Sequence, residues 1–173
     1  NYIRCHDDII WSALSPLLTV EEQGRCSAFF AGLGQGSFAA GTAFQAVAGV
    51  APSTNGMAAA LVGVGDDEAG SAAARRLLLL YATCFALDGF PVIWMGDEIA
   101  LGDGPAGEGE AGAPCDGRWL QRPYMDWRRA ELRGDPSTLA GQVFQSLAGF
   151  SRLRAAHDAF DACNPAEPLS SGD

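Results

Sequence analysis

Phe90-Pro91-Val92-Ile93-Trp94 is a continuous apolar run with no polar alternation, bounded by Pro91 and Gly96 and closed by two carboxylates, Asp97-Glu98. Such a run suits a parallel strand buried on both faces. A second short β-like run, Tyr2 to Cys5, delivers His6, Asp7 and Asp8 into a turn. Helical periodicity follows each run. The order strand, excursion, helix, strand, loop, helix makes two consecutive β-loop-α units, the pattern of a parallel α/β sheet or barrel. Barrel strands gather reactive side chains at their C-terminal ends. Two strands cannot close a sheet or satisfy its edges. The first run also starts at residue 1, inside an element. The remainder of a larger catalytic barrel is therefore expected outside these residues.

The helices are read from spacing and caps. Val20 to Ala31 carries Glu21-Glu22 in its first turn, which favours the helix dipole. Met57 to Val64 reads as a short helix. Ala69 to Leu87 is the clearest helix, with Leu77, Leu80, Tyr81 and Cys84 on one expected buried face. Gly89 and Pro91 stop it. Asp135 is the expected cap of the last helix, with Pro136 in the first turn and Leu139, Val143, Leu147 and Phe150 on its apolar face. That helix fades near His157. Ser12 to Thr19 reads as loop, Gly32 to Gly56 as an irregular excursion, and Leu101 to Gly117 as a long loop.

Charge limits the partners. There are 11 basic residues, all arginine, against 21 acidic ones, for a net charge of −10. Nucleic acid and anionic membrane both need a basic face, so neither is expected. A neutral substrate such as a sugar fits. With 48% hydrophobic and 18% charged residues the chain is globular. The run from Leu77 is too short and too polar to span a bilayer. Five scattered cysteines (5, 26, 84, 115 and 163) form no C-x-x-C pair. They argue against a disulfide framework or a zinc site and read as free thiols in a reducing, cytoplasmic compartment.

His6-Asp7-Asp8-Ile9-x-Trp11 resembles the seventh-strand motif of amylosucrases, members of the α-amylase superfamily (glycoside hydrolase family 13). Further segments agree in order. Gly36-Ser37-Phe38-Ala39-x-Gly41, Pro52-Ser53-Thr54 and Ala58 to Gly63 resemble the insertion in that family's seventh loop. Gly89 to Glu98 is similar to its eighth strand, and Arg118-Trp119-x-x-Arg122-Pro123-x-Met125-Asp126-Trp127 to its eighth-loop motif. Asp135-Pro136-Ser137-Thr138 and Arg152 to Phe160 resemble the two ends of its eighth helix.

The resemblance implies an α/β fold that is part of a TIM (β/α)8 barrel. Residues 1–160 would be its C-terminal portion, with 12–64 as the loop-7 insertion and 161–173 leading toward a C-terminal β domain. It implies a retaining glucosyl transfer from sucrose to an α-glucan, with release of fructose and with no metal or organic cofactor. The nucleophile and the general acid would lie before Asn1. Asp7 would be the catalytic transition-state stabiliser, because a fixed anion gains most as positive charge builds at the anomeric carbon. His6 would bind a sugar hydroxyl. Asp8 would face the acceptor or fructosyl side, or be a solvated loop residue. Arg122 would reach the floor of the glucosyl pocket. Asp97 and Glu98 would support the rim of the eighth strand. Trp11 and Trp127 are read from the sequence itself as packed in the core, with stacking on sugar rings the alternative, and His157 as structural.

Two departures bear on the activity. Ile10 stands where amylosucrases usually have glycine. Leu33, Gln35 and Ala40 replace two arginines and an aspartate of the insertion, residues of the kind that bind an acceptor glucan. A sucrose hydrolase or α-glucosidase of the same superfamily is therefore an alternative, as is a truncated remnant without catalysis.

Overall fold

A computed structural model describes residues 1–65, 69–104, 117–164, 167 and 169. Its core is built on two long helices. Helix α3 (Ala72–Ala86) packs on α5 (Leu139–Ala156), with the short α2 (Ala58–Leu61) against them. Leu77, Tyr81 and Phe85 of α3 meet Leu139, Val143 and Leu147 of α5, all buried. Leu80 is 42% exposed and lies outside this face, contrary to the expected pattern. The buried stripe follows Ala73, Leu77, Tyr81 and Cys84, an i, i+4, i+8 and i+11 spacing that leaves Leu80 on the flank. Among the described residues no helix is long and apolar enough to cross a membrane.

The helix ends are set by specific side chains. Thr19 and Glu22 form a reciprocal capping box at the start of α1 (Val20–Phe30). Ser71 caps α3 by accepting from the Ala74 N–H. At the other end of α3 the Arg154 guanidinium donates to the carbonyls of Phe85, Leu87 and Gly89. This ties the end of α5 to the end of α3 and satisfies carbonyls that a helix terminus leaves free.

The start of α5 differs from expectation. The cap is Thr138, whose hydroxyl accepts from the Gly141 N–H, and the helix begins at Leu139. Asp135 instead accepts from the Ser137 N–H and hydroxyl, closing a local turn that holds Pro136 outside the helix. That turn brings the Asp135 carbonyl oxygen onto Gly141, where a Cβ would overlap it. Gly141→Ala would raise helix propensity in the abstract. Here it is expected to lower stability by about 1–3 kcal/mol through overpacking against backbone. Urea denaturation followed by circular dichroism measures this; an unchanged or higher midpoint would contradict the close packing of this turn.

The two apolar runs lie side by side and point in the same direction. Tyr2 and Val92 form a parallel bridge, with the Val92 N–H donating to the Asn1 carbonyl at 2.7 Å. The pairing is one bridge and not a ladder. Nor is the second run buried on both faces: Phe90 is 76% exposed and Val92 51%. Pro91 has no N–H to pair, and among the described residues no further strand flanks either run.

The excursion holds structure that the sequence did not announce. Trp11–Leu14 is a 3-10 turn that runs into the expected loop. Strands β1 (Thr42–Phe44) and β2 (Ser53–Asn55) pair antiparallel, with Thr42 opposite Asn55 and Phe44 opposite Ser53. Ile9 exchanges two main-chain hydrogen bonds with Thr54, at 2.8 and 3.1 Å. The hairpin thereby fixes the segment that follows His6-Asp7-Asp8. Residues 105–116, most of the long 101–117 loop, fall outside the described residues, as does Cys115.

Candidate functional site

The turn bearing His6, Asp7 and Asp8 rests on buried polar side chains. Arg4 is 4% exposed. Its Nε donates to the Gly56 carbonyl at 2.9 Å and its Nη2 to the Asp7 carbonyl at 2.7 Å. Burial lowers the Arg4 pKa, and the charges of Cys5, Asp97, Asp8 and Asp103 pull it back up. Gln121 is fully buried. Its Nε2 donates to the His6 carbonyl at 3.3 Å and to Asn55 Oδ1 at 3.2 Å, while its Oε1 accepts from the Gly56 N–H. The carbonyls of residues 6 and 7 are thus both held from beneath. Their side chains are left facing outward.

On the outer side His6 and Asp7 stand together, with Nε2 and Oδ1 3.5 Å apart and the side chains 52% and 60% exposed. The His6 ring lies against Trp94, centroids 5.6 Å apart and tilted by 41°. The Trp94 indole N–H donates to the Gln121 carbonyl at 2.9 Å. Arg122 follows Gln121, and its Nη2 comes within 3.5 Å of the His6 carbonyl. The structure therefore brings His6, Asp7 and Arg122 to one place, with the end of the Phe90–Trp94 run beside them. Asp8 is half-buried next to them.

Trp11 is buried, as expected, and its indole N–H donates to Thr54 Oγ1 at 2.9 Å. Trp127 is not packed: it is 74% exposed at the start of α4 (Trp127–Glu131), on a cleft with Glu98 and Met125. His157 caps the end of α5, with its ring edge-on to Phe160.

Asp97 and Glu98 lie in a 3-10 turn, Asp97–Ile99, and not on a strand. Glu98 Oε2 accepts from the Gly96 N–H at 2.8 Å. Asp97 is fully buried and accepts a hydrogen bond from the Tyr81 hydroxyl. Burial is the main cause that pushes the Asp97 pKa up to about 7. The Tyr81 hydrogen bond opposes it, the Glu98 charge adds to it, and Arg4 and the Ala58 backbone N–H oppose it in turn. Burial also raises the Tyr81 pKa, with the Asp97 charge second. Asp103 accepts from the Met57 N–H, and burial raises its pKa to about 6 against that bond and the Arg4 charge.

Arg4, Asn55 and Gln121 were not singled out in the sequence. Arg4 sits one residue before the motif, and Gln121 immediately before Arg122. Their signal was type against context: a long polar side chain abutting a strand-like run or an Arg-Pro pair. A rigid turn that presents an imidazole beside a carboxylate, with a guanidinium behind, is suited to hold a polyhydroxylated ligand and to face a developing positive charge. No protein-family model matches this chain.

Proposed function

We propose that this chain is the C-terminal part of an amylosucrase-like (β/α)8 catalytic domain, and that the complete domain cleaves sucrose with retention at the glucosyl carbon and passes glucose to an α-glucan. Asp7 is the transition-state stabiliser, His6 binds a ring hydroxyl, Arg122 lies at the pocket floor, and Asp8 faces the acceptor side. The observation that carries this reading is the parallel bridge of Tyr2 with Val92, beyond which His6, Asp7, Trp94 and Arg122 meet. A barrel needs strands seven and eight to be parallel neighbours whose C-terminal ends share a mouth. The exposed faces of Tyr2, Phe90 and Val92, and of Leu79, Leu80 and Leu87 at the helix layer, are the surfaces that adjoining strands and helices would cover.

A nucleophile and a general acid must flank the scissile bond about 5–5.5 Å apart in a retaining enzyme. Among the described residues no such pair joins Asp7: Asp97 is turned into the core and Glu98 closes its own turn. The 173-residue chain alone is accordingly expected to give no sucrose turnover, whereas the protein encoded with the segment before Asn1 is expected to release fructose. Fructose release by the purified chain itself would remove the missing carboxylates from the proposal. The same assay separates the alternative. The insertion carries Leu33, Gln35 and Ala40 in place of glucan-binding polar residues, which favours water as acceptor. Free glucose equal to fructose marks the sucrose hydrolase, and glucose well below fructose, with α-glucan formed, marks the transferase. Absence of both in the complete protein marks the remnant.

A further inference from the structure

Among the described residues, Cys5, His6 and Asp7 bring a thiol, an imidazole and a carboxylate together, with one ligand atom of each within 4.8 Å of the others. We propose that this tripeptide is a binding site for a thiophilic divalent cation, Zn²⁺ in the first instance. A tetrahedral zinc ion with nitrogen and oxygen ligands at about 2.0–2.2 Å sets those two atoms about 3.4 Å apart. His6 Nε2 and Asp7 Oδ1 already stand 3.5 Å apart. Sulfur, imidazole nitrogen and one carboxylate form a donor set that selects zinc-like ions over magnesium or calcium, which take oxygen. Three protein ligands leave a fourth position for water.

The site is held by more than its ligands. The Asp7 N–H points at Cys5 Sγ, 3.5 Å away, and so holds the sulfur on the turn that carries the other two ligand atoms. The His6 carbonyl is fixed by Gln121 and the Asp7 carbonyl by Arg4, so the backbone carrying the ligands is anchored at two successive peptides. The side chains themselves are open to solvent at His6 and Asp7 and half-buried at Cys5, which gives an ion a route in. The usual zinc spacing of paired cysteines does not describe such a turn, and for that reason the cysteine pattern alone gave no metal site.

Binding stands on this geometry. Its consequence rests on the sugar-site reading above: a metal on His6 and Asp7 occupies the two groups assigned to the glucosyl ring, so metal and sucrose exclude each other. The test titrates the purified chain with Zn²⁺ in competition with a chromogenic chelator, and with Co²⁺ to read a thiolate-to-metal charge-transfer band in the near ultraviolet. One equivalent is expected to bind with that band present. Cys5→Ser should abolish the band and weaken Zn²⁺ binding at least about tenfold, and His6→Gln should weaken it similarly. Cys163→Ser, which alters an exposed cysteine elsewhere, should change neither. Circular dichroism on each variant establishes that the fold is kept. No stoichiometric binding, or a band that survives Cys5→Ser, overturns the site. In the complete enzyme Zn²⁺ should raise the KM for sucrose, and Cys5→Ser should relieve this. Binding on the chain without any effect on KM would leave the metal site standing and count against the placing of sugar at His6 and Asp7.

Discussion

Asp7→Asn in the complete enzyme is expected to lower kcat for sucrose by about 10³-fold or more, with little change in the thermal midpoint. The size follows from where the carboxylate acts. Its charge matters little to a neutral ground-state sugar and most to the positive charge that develops at the anomeric carbon, so its loss falls on kcat and not on KM. Removing one preorganised electrostatic partner of a transition state costs about 10²–10³ in kcat, and a full charge opposite an oxocarbenium ion lies at or beyond the top of that range. The fold should be indifferent. Arg4 holds the main-chain carbonyl of Asp7, and the side chain, 60% exposed, makes no buried contact that asparagine would break. Steady-state fructose release with melting curves on both proteins checks this. Turnover within about tenfold of the parent, or a collapsed fold, would take Asp7 out of the role.

The parts of this site that were legible in the sequence are the ones that reach outward. His6 and Asp7 follow strand-like text, and charged groups at a barrel strand's end read as chemistry, whereas Arg122 was singled out by the resemblance of the Arg118–Trp127 segment. The floor beneath them was not legible. Arg4 meets Gly56 across 52 residues and Gln121 meets His6 across 115, and no local pattern encodes a pairing of that span. The hairpin at β1 and β2 escaped because three-residue strands of Thr, Ala, Phe, Ser and Asn carry neither alternation nor length. The helices were found because burial at a 3.6-residue period is a local signal, yet the cap of α5 was missed: Asp135 had a competing turn with Ser137. The Phe90–Trp94 run shows the opposite limit. Its composition states a demand for cover on both faces, and cover is a property of neighbours, which the run itself cannot supply.

Stability of the chain is expected to fall as pH rises from about 4 to about 7, by up to about 4 kcal/mol, and Asp97 is the reason. Its pKa is about 7 in the folded chain against the ordinary 3.8 of an aspartate side chain. Between those values the folded protein keeps a proton on Asp97 that the unfolded chain has shed. Stability therefore declines with each step of pH in that window and levels off above the folded value. The difference, 7 − 3.8, is about 3 units, and at 1.36 kcal/mol per unit it sets the size given. Asp103, raised to about 6, acts in the same direction over a narrower window. Glu22 and Asp135 act oppositely. Hydrogen bonds from Thr19 and Ser137 hold them below the ordinary carboxylate range, so their contributions are lost only as pH falls below it. The most stable point should thus lie on the acid side of neutrality, just above the range where Glu22 and Asp135 gain protons. Asp97→Asn isolates the cause. The amide oxygen can still accept from the Tyr81 hydroxyl, the buried charge is gone, and the pH slope above about 5 should flatten to the share of Asp103. Urea midpoints of both proteins across this range decide it. A midpoint that rises toward alkaline pH, or an equal slope in Asp97→Asn, would mean that Asp97 is ionised in the core and that Arg4 compensates its charge in full.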